Sequence, residues 1–310
     1  MMKATVFNTI LGTATATVCL MGVTAAQANA GTLHNGWNYA IDSFNDGVQN
    51  GNTVGARSAY EMYGMAVKED TQNNSIFVAI NANLPITGAQ FNGAADKHIG
   101  WGDLIFNFSG QNLQTANASG NLFGIRFAAN SDSGVSSLGV YDNVTLQSVT
   151  STNSGFNSLT HHRNTVNNLG GSASMGDLAY NDPYFAGQIT GTHKVLNSIK
   201  TGNLLGGINL INDFTGLGLD FGNFSAMGSH TFGFSFDKSL MPVGEFVAHL
   251  FAECANYGMA LVGELAVASV PGDGDVSVPE PSSMLGLLAL GLTFAGSRSR
   301  KKGQAIAVEG

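Results

Sequence analysis

An all-β fold, an antiparallel β-sandwich, follows from three features of this 310-residue chain. Apolar residues recur at every second position in several runs, as in strands with one face on a core. Glycine-polar pairs such as Asp46-Gly47, Asn50-Gly51, Asn92-Gly93, Ser109-Gly110 and Thr201-Gly202-Asn203 separate the runs and read as turns. Charge is scarce: 11% of residues are Asp, Glu, Lys or Arg, against a usual ~25%, while 41 are glycine. Solubility therefore rests on Asn, Ser, Thr and Gly, a composition unsuited to helical bundles. About ten short strands with polar turns predict a sandwich of jelly-roll-like size over residues 31–270.

Taken in order, strands are expected at 37–43 and 60–67, and a more fully buried one at Ile76 to Ile80. Leu104, Phe106 and Phe108 alternate with Asp103, Ile105 and Asn107. Phe123, Ile125 and Phe127 alternate with Gly124 and Arg126. Another strand is expected at 139–149, followed by a long loop over 151–191, where neither period is present. Strands resume at 204–211, then at Leu217, Leu219 and Phe221, which alternate with Gly218, Asp220 and Gly222. Phe232, Phe234 and Phe236 form the clearest alternation, and a last strand falls at 259–267. Residues 245–256 fit a helical stripe or an imperfect strand; the all-β surroundings tip them to strand.

Both ends look like addresses. Lys3 is the only charge before Asp42, and residues 4 to 26 are mostly apolar or small. Ala28 and Ala30 sit at the positions a signal peptidase reads, so residues 1–30 are expected to be a signal peptide cleaved after Ala30. Asn8 and several threonines break the apolar region and favour cleavage over a retained anchor. Cys19 lacks the surroundings of a lipobox and leaves with the peptide. At the other end, 271–281 reads as a flexible linker holding Pro279, Glu280 and Pro281. Residues 282–297 form a short sorting helix, apolar from Met284 to Gly296, and 298–310 a tail with Arg298, Arg300, Lys301 and Lys302. Those 13 apolar residues span about 20 Å at ~1.5 Å each, short of a ~30 Å hydrocarbon core. Snorkelling cations and bilayer thinning make a span feasible. The basic tail stays in the cytoplasm by the positive-inside bias. Gly286, Gly291 and Gly296 do not repeat on one helical face and argue against a helix-pairing surface.

Pro-Glu-Pro, a short apolar helix and a basic cluster, over Val278 to Lys302, resemble the PEP-CTERM sorting domain. The resemblance implies that this chain is a substrate of an exosortase, a membrane-embedded cysteine transpeptidase that cleaves near the motif. The middle is similar to the cyanobacterial XDD-type exosortase-dependent surface proteins. The residues concerned are Ala59-Tyr60-Glu61-Met62-Tyr63-Gly64-Met65-Ala66, Gly100-Trp101-Gly102-Asp103-Leu104, Gly218-Leu219-Asp220-Phe221-Gly222 and Glu253-Cys254-Ala255-Asn256. Tyr257 stands where that pattern leads one to expect Asp. The likeness implies no activity.

Residues 31–278 hold 19 acidic and 8 basic side chains, which disfavours nucleic acid. Cys254 is the single cysteine left after signal cleavage, so no internal disulfide forms; the expected role is a small buried apolar residue, with crosslinking between molecules the alternative. Glu245, His249 and Glu253 would converge on a metal only from a helix. His161-His162 would do so only from a loop, and Asp42 to Gly47 offer oxygens for Ca²⁺ but read first as a turn. No cofactor is expected. Trp37, Tyr39, Tyr60, Tyr63 and Trp101 are candidates for a sugar-stacking platform, or for the core. No hydrolase, metalloprotease, Walker or dinucleotide pattern is present. The expected function is that of an exported, exosortase-processed surface or extracellular-matrix protein without catalysis. A carbohydrate-binding module is the alternative, and an exported hydrolase comes third. Expected partners are signal peptidase, exosortase, the membrane and a polysaccharide.

Overall fold

The computed structural model describes residues 31–266. Its first strands are β1 (Thr32–His34), β2 (Trp37–Ile41), β3 (Val48–Gln49), β4 (Thr53–Val54), β5 (Met62–Asp70) and β6 (Ser75–Ala82). Next come β7 (Ala89–Gln90), β8 (His98–Ile99), β9 (Leu104–Asn107), helix α1 (Leu113–Ser119), β10 (Phe123–Arg126) and β11 (Gly139–Gln147). Helix α2 (Leu159–Asn168) precedes β12 (Ser198–Gly206), β13 (Asn209–Ile211), β14 (His230–Asp237), β15 (Gly244–Phe251) and β16 (Gly258–Leu265).

Short polar turns make chain neighbours into sheet neighbours. The first sheet, ordered β1-β2-β5-β6-β14-β13, is a four-strand meander extended by the antiparallel β13–β14 pair. The second, β12-β11-β10-β9-β15-β16, is a second meander extended by the β15–β16 hairpin. The all-β antiparallel expectation holds. The jelly-roll detail does not, because interleaved Greek keys would separate consecutive strands. Here the chain finishes most of one sheet before starting the other.

Alternation sends side chains into layers. Between the sheets lie Met65, Val78, Phe232 and Phe234 from the first, and Leu104, Phe106, Ile125 and Phe246 from the second. Ring pairs such as Phe127–Phe234 (5.3 Å) and Phe106–Phe246 (5.0 Å) fill this layer. The outer face of the second sheet is covered too: Ile105, Tyr141, Ile199 and Phe251 pack with Leu113 of α1, Val166 of α2 and Phe185. Strand β9 is therefore buried on both faces, where its alternation had predicted one. Gly124 on β10 belongs to this packing, since a Cβ there would lie 2.7 Å from Ile199 Cδ1. The outer face of the first sheet carries Trp37, Tyr39 and Tyr63, roofed by Phe214, Leu217, Leu219 and Phe221.

Four local expectations give way. Residues 217–221 are not a strand: Gly216 and Gly218 sit at φ 81° and 78°, which breaks the extended chain, and Phe221–Phe224 form a 3-10 turn. Leu217 and Phe221 still face inward, so the alternation reported burial without a ladder. Thr201-Gly202-Asn203 is not a turn but an interior part of β12, beside a register irregularity against β11. The expected 204–211 strand is two strands, β12 and β13, because the chain crosses between sheets at Gly207-Ile208. The 151–191 loop contains α2, capped by the Ser158 side chain, which accepts from His161 N. Residues 244–251 form a strand, as the surroundings had suggested, with Val247 opposite Val262 in the β15–β16 hairpin.

Candidate functional site

A cavity of about 530 Å³ opens where the β3–β4 hairpin, α2 and four connecting segments meet. The hairpin supplies Val48, Asn50 and Gly51, and the run into β5 supplies Tyr60. Phe91 and Ile99 come from the β7–β8 segment, Asn153, Ser154, Gly155 and Phe156 from the approach to α2, and His161 and Thr165 from α2 itself. Asn256 closes the set from the β15–β16 connection. Asn50, Gly51, Ser154 and His161 are exposed; Val48, Tyr60, Ile99, Asn153 and Phe156 are buried.

Backbone and amide hydrogen bonds fix these walls. Val48 N donates to Asn256 O (3.0 Å), and Asn256 Nδ2 returns a bond to Val48 O (2.7 Å). Phe156 N donates to Cys254 O (2.9 Å), and Ser154 Oγ to Gly93 O (2.6 Å). Asn50 and Ser154 hold φ 53° and 49°, conformations unusual outside glycine, and such outliers gather at functional sites. Gly93 makes room for a ring: a Cβ there would lie 2.5 Å from Phe91 Cε1. Asn153 Nδ2 is tied to Val149 O (3.0 Å) and Asp132 Oδ2 (2.8 Å), leaving its buried Oδ1 without a partner among the described residues. Among the described residues no Asp, Glu, Lys or Arg lines the cavity.

A buried acidic group lies next to these walls. Asp42, Asp46 and Glu61 are all buried, and each keeps one oxygen without a hydrogen-bond partner among the described residues. Burial, and for Asp46 and Glu61 the charge of neighbouring carboxylates, holds Asp42 and Asp46 well above the ordinary carboxyl range and pushes Glu61 to about 8. They are satisfied in part by Gly176 N, Ser174 N and Gly47 N. The hydroxyl of buried Tyr257 is likewise unpartnered and feels the charges of Asp42 and Glu61. His162 Nε2 bonds Asp46 O and Asn256 O, and Nδ1 meets the Tyr180 hydroxyl. Burial lowers its pKa to about 4, so it stays neutral and braces the cavity floor.

Of the side chains read from sequence as candidates, the cavity uses His161 and Tyr60. The proposed aromatic platform is core. Trp37, Tyr39, Tyr60, Tyr63 and Trp101 are at most 6% exposed, and Trp37 Nε1 and Trp101 Nε1 donate to Leu217 O and Pro85 O. Glu245, His249 and Glu253 do not converge: the segment is a strand, with Glu245 exposed and His249 buried against the Tyr184 hydroxyl (2.7 Å). Glu253 accepts instead from Gly100 N and Asp132 N, with burial pushing it to about 8. Asp42 and Asp46 are buried while Asn45 between them is exposed, and on helix α2 His161 is exposed and His162 buried. Among the described residues no group of three His, Cys, Asp or Glu side chains is placed to hold a metal ion. Sequence reasoning missed Phe91, Asn153, Phe156, Thr165 and Asn256. The Asn50-Gly51 and Asn92-Gly93 pairs, read as plain turns, were the one local signal near them.

Residues 59–66, 100–104 and 253–256 meet close to the cavity. Glu253 N donates to Gly100 O (3.1 Å), Gly102 N to Phe251 O (2.9 Å), and Tyr60 lines the wall. Asp103 binds Ile199 N (2.7 Å) and Ser133 Oγ (2.7 Å), fastening the same corner.

Ala28, Ala30, Pro279, Glu280, Pro281, Arg298, Arg300, Lys301 and Lys302, with the expected signal peptide and sorting helix, lie outside the described residues. Among the described residues no helix is long and apolar enough to cross a membrane. No curated protein and no solved structure matches the chain, and the comparisons do not support the XDD likeness. Residues 277–301 match the model of the PEP-CTERM protein-sorting motif, which marks this chain as an exosortase-targeted protein exported toward the cell surface.

Proposed function

We propose that the β-sandwich is the non-catalytic cargo of this sorting signal, a surface or extracellular-matrix module. The signal peptide is removed after Ala30, the 282–297 helix holds the chain in the inner membrane, and an exosortase then cleaves near Pro279-Glu280-Pro281. The observation that carries this reading is the motif match over 277–301, directly after the sandwich. Replacing Pro279, Glu280 and Pro281 with alanine is expected to leave the protein in the inner-membrane fraction. Unchanged surface delivery of that variant contradicts the sorting assignment.

A second reading, a carbohydrate-binding module on the same delivery route, is favoured by the uncharged, aromatic and amide-lined cavity. It replaces the buried platform as the place for a sugar.

A further inference from the structure

We propose that this cavity binds one or two rings of a neutral carbohydrate, an inference that rests on the reading of the sandwich as an exported surface module. The volume, about 530 Å³, falls within the range of about 300–1,000 Å³ typical of small-molecule sites. Its lining decides the ligand class. Asn50, His161, Thr165 and Asn256 present amides, an imidazole and a hydroxyl, and the half-buried Phe91 presents ring surface, with buried Tyr60, Asn153 and Phe156 behind them.

With no Asp, Glu, Lys or Arg among the described residues of the lining, a phosphate, sulfate or carboxylate ligand would be desolvated without a counter-charge. The acidic excess of the body adds to that cost. A purely apolar ligand fails for the opposite reason, since it strips water from the amides and returns no hydrogen bond. A neutral sugar satisfies both demands, with C–H faces for the rings and hydroxyl edges for the amides.

Preorganisation supports the assignment. The Val48–Asn256 bond pair and the Ser154–Gly93 bond fix opposite walls before any ligand arrives. Asn153, 1% exposed, backs the lining with an Oδ1 that has no partner among the described residues. Gly93 lets the half-buried Phe91 ring lie back against its own loop, the geometry of a stacking wall.

The test uses the full chain, purified in detergent, against a glycan panel of neutral, sialylated and sulfated sugars, with calorimetry on any hit. Neutral glycans are expected to bind. Thr165→Trp, which fills the space from the face of α2, is expected to weaken binding at least about tenfold with an unchanged thermal melt. Phe91→Ala is the second variant, with the same expected loss, should the Trp variant fail to fold. The proposal is overturned if no neutral sugar binds at millimolar concentration, if only anionic glycans bind, or if both variants bind as the wild type does. Surface fractionation of the same strains separates the two claims. Intact delivery with absent binding removes the sugar site alone, and failed delivery of the wild type removes the sorting reading alone.

Discussion

A thiol sealed from solvent is chemically silent, and Cys254 is such a thiol. It is 0% exposed within the inter-sheet layer; burial foremost, with the Glu253 charge beside it, pushes it up to about 12. The nucleophile is the thiolate, so protein cleaved after Ala30, which keeps Cys254 of the two cysteines, is expected to show no reaction with a thiol reagent at pH 8 and one equivalent after denaturation. Rapid labelling of the native protein counts against this burial. Crosslinking between folded molecules through Cys254 is ruled out by the same geometry, and the small-apolar reading stands. Phe234, stacked on Phe127 and fully buried, sets the energetic scale of the core. Phe234→Ala is expected to cost about 3–5 kcal/mol in denaturant melts, from lost transfer energy and the cavity left behind. A change below ~1 kcal/mol would mean the two sheets do not close on this ring. At this scale the sequence was informative about burial and poor about purpose. Trp37 and Trp101 look the same in a string whether they face a sugar or a core, because the deciding neighbours, Leu217 and Pro85, are 180 and 16 residues away.

The elements that carry the cavity depend on protonation. Glu61 and Glu253 rise to about 8, Asp177 to about 7 and Asp103 to about 6, burial being the main cause each time. Well above pH 6.5 the buried His162 and His249 are neutral whether the chain is folded or unfolded, while Glu61 and Glu253 still hold protons only when folded. The folded state then binds more protons, so stability falls as pH rises from 6.5 through 8. Each titrating group contributes at most about 1.4 kcal/mol per pH unit. Below pH 6.5 the buried His162 and His249, lowered to about 4 and 3, resist protonation that the unfolded chain accepts, and they oppose the trend. Thermal melts should therefore drop between pH 6.5 and 8.5, with Glu61→Gln flattening part of the slope. A melt that rises over that window contradicts the buried acidic group. Helix α2 depends on its cap, and Ser158→Ala is expected to cost about 1 kcal/mol by thermal or denaturant melt. Long period-two runs such as 232–236 were legible because alternation survives on any half-buried strand. Helix α2 was not, because its buried positions Leu159, His162 and Val166 are too few, among Thr, Asn and Arg, to print a helical period. Residues 217–221 misled in the opposite sense, since roofing a sheet also buries every second residue.

For the whole molecule, sequence and structure divide the labour. Delivery is written in one contiguous stretch, Val278 to Lys302, so it could be read directly from the residues and is matched as a sorting motif. The cavity draws on short pieces scattered from Val48 to Asn256 and was invisible until folding joined them. Sheet order was equally hidden, because alternation gives a strand its two faces but never its neighbours. Terminal mapping by mass spectrometry of the protein recovered from the cell surface tests the delivery account most directly. The expected product begins at Gly31 and ends close to Pro281, without residues 298–310. A surface or cytosolic product that still runs from Met1 to Gly310 contradicts it.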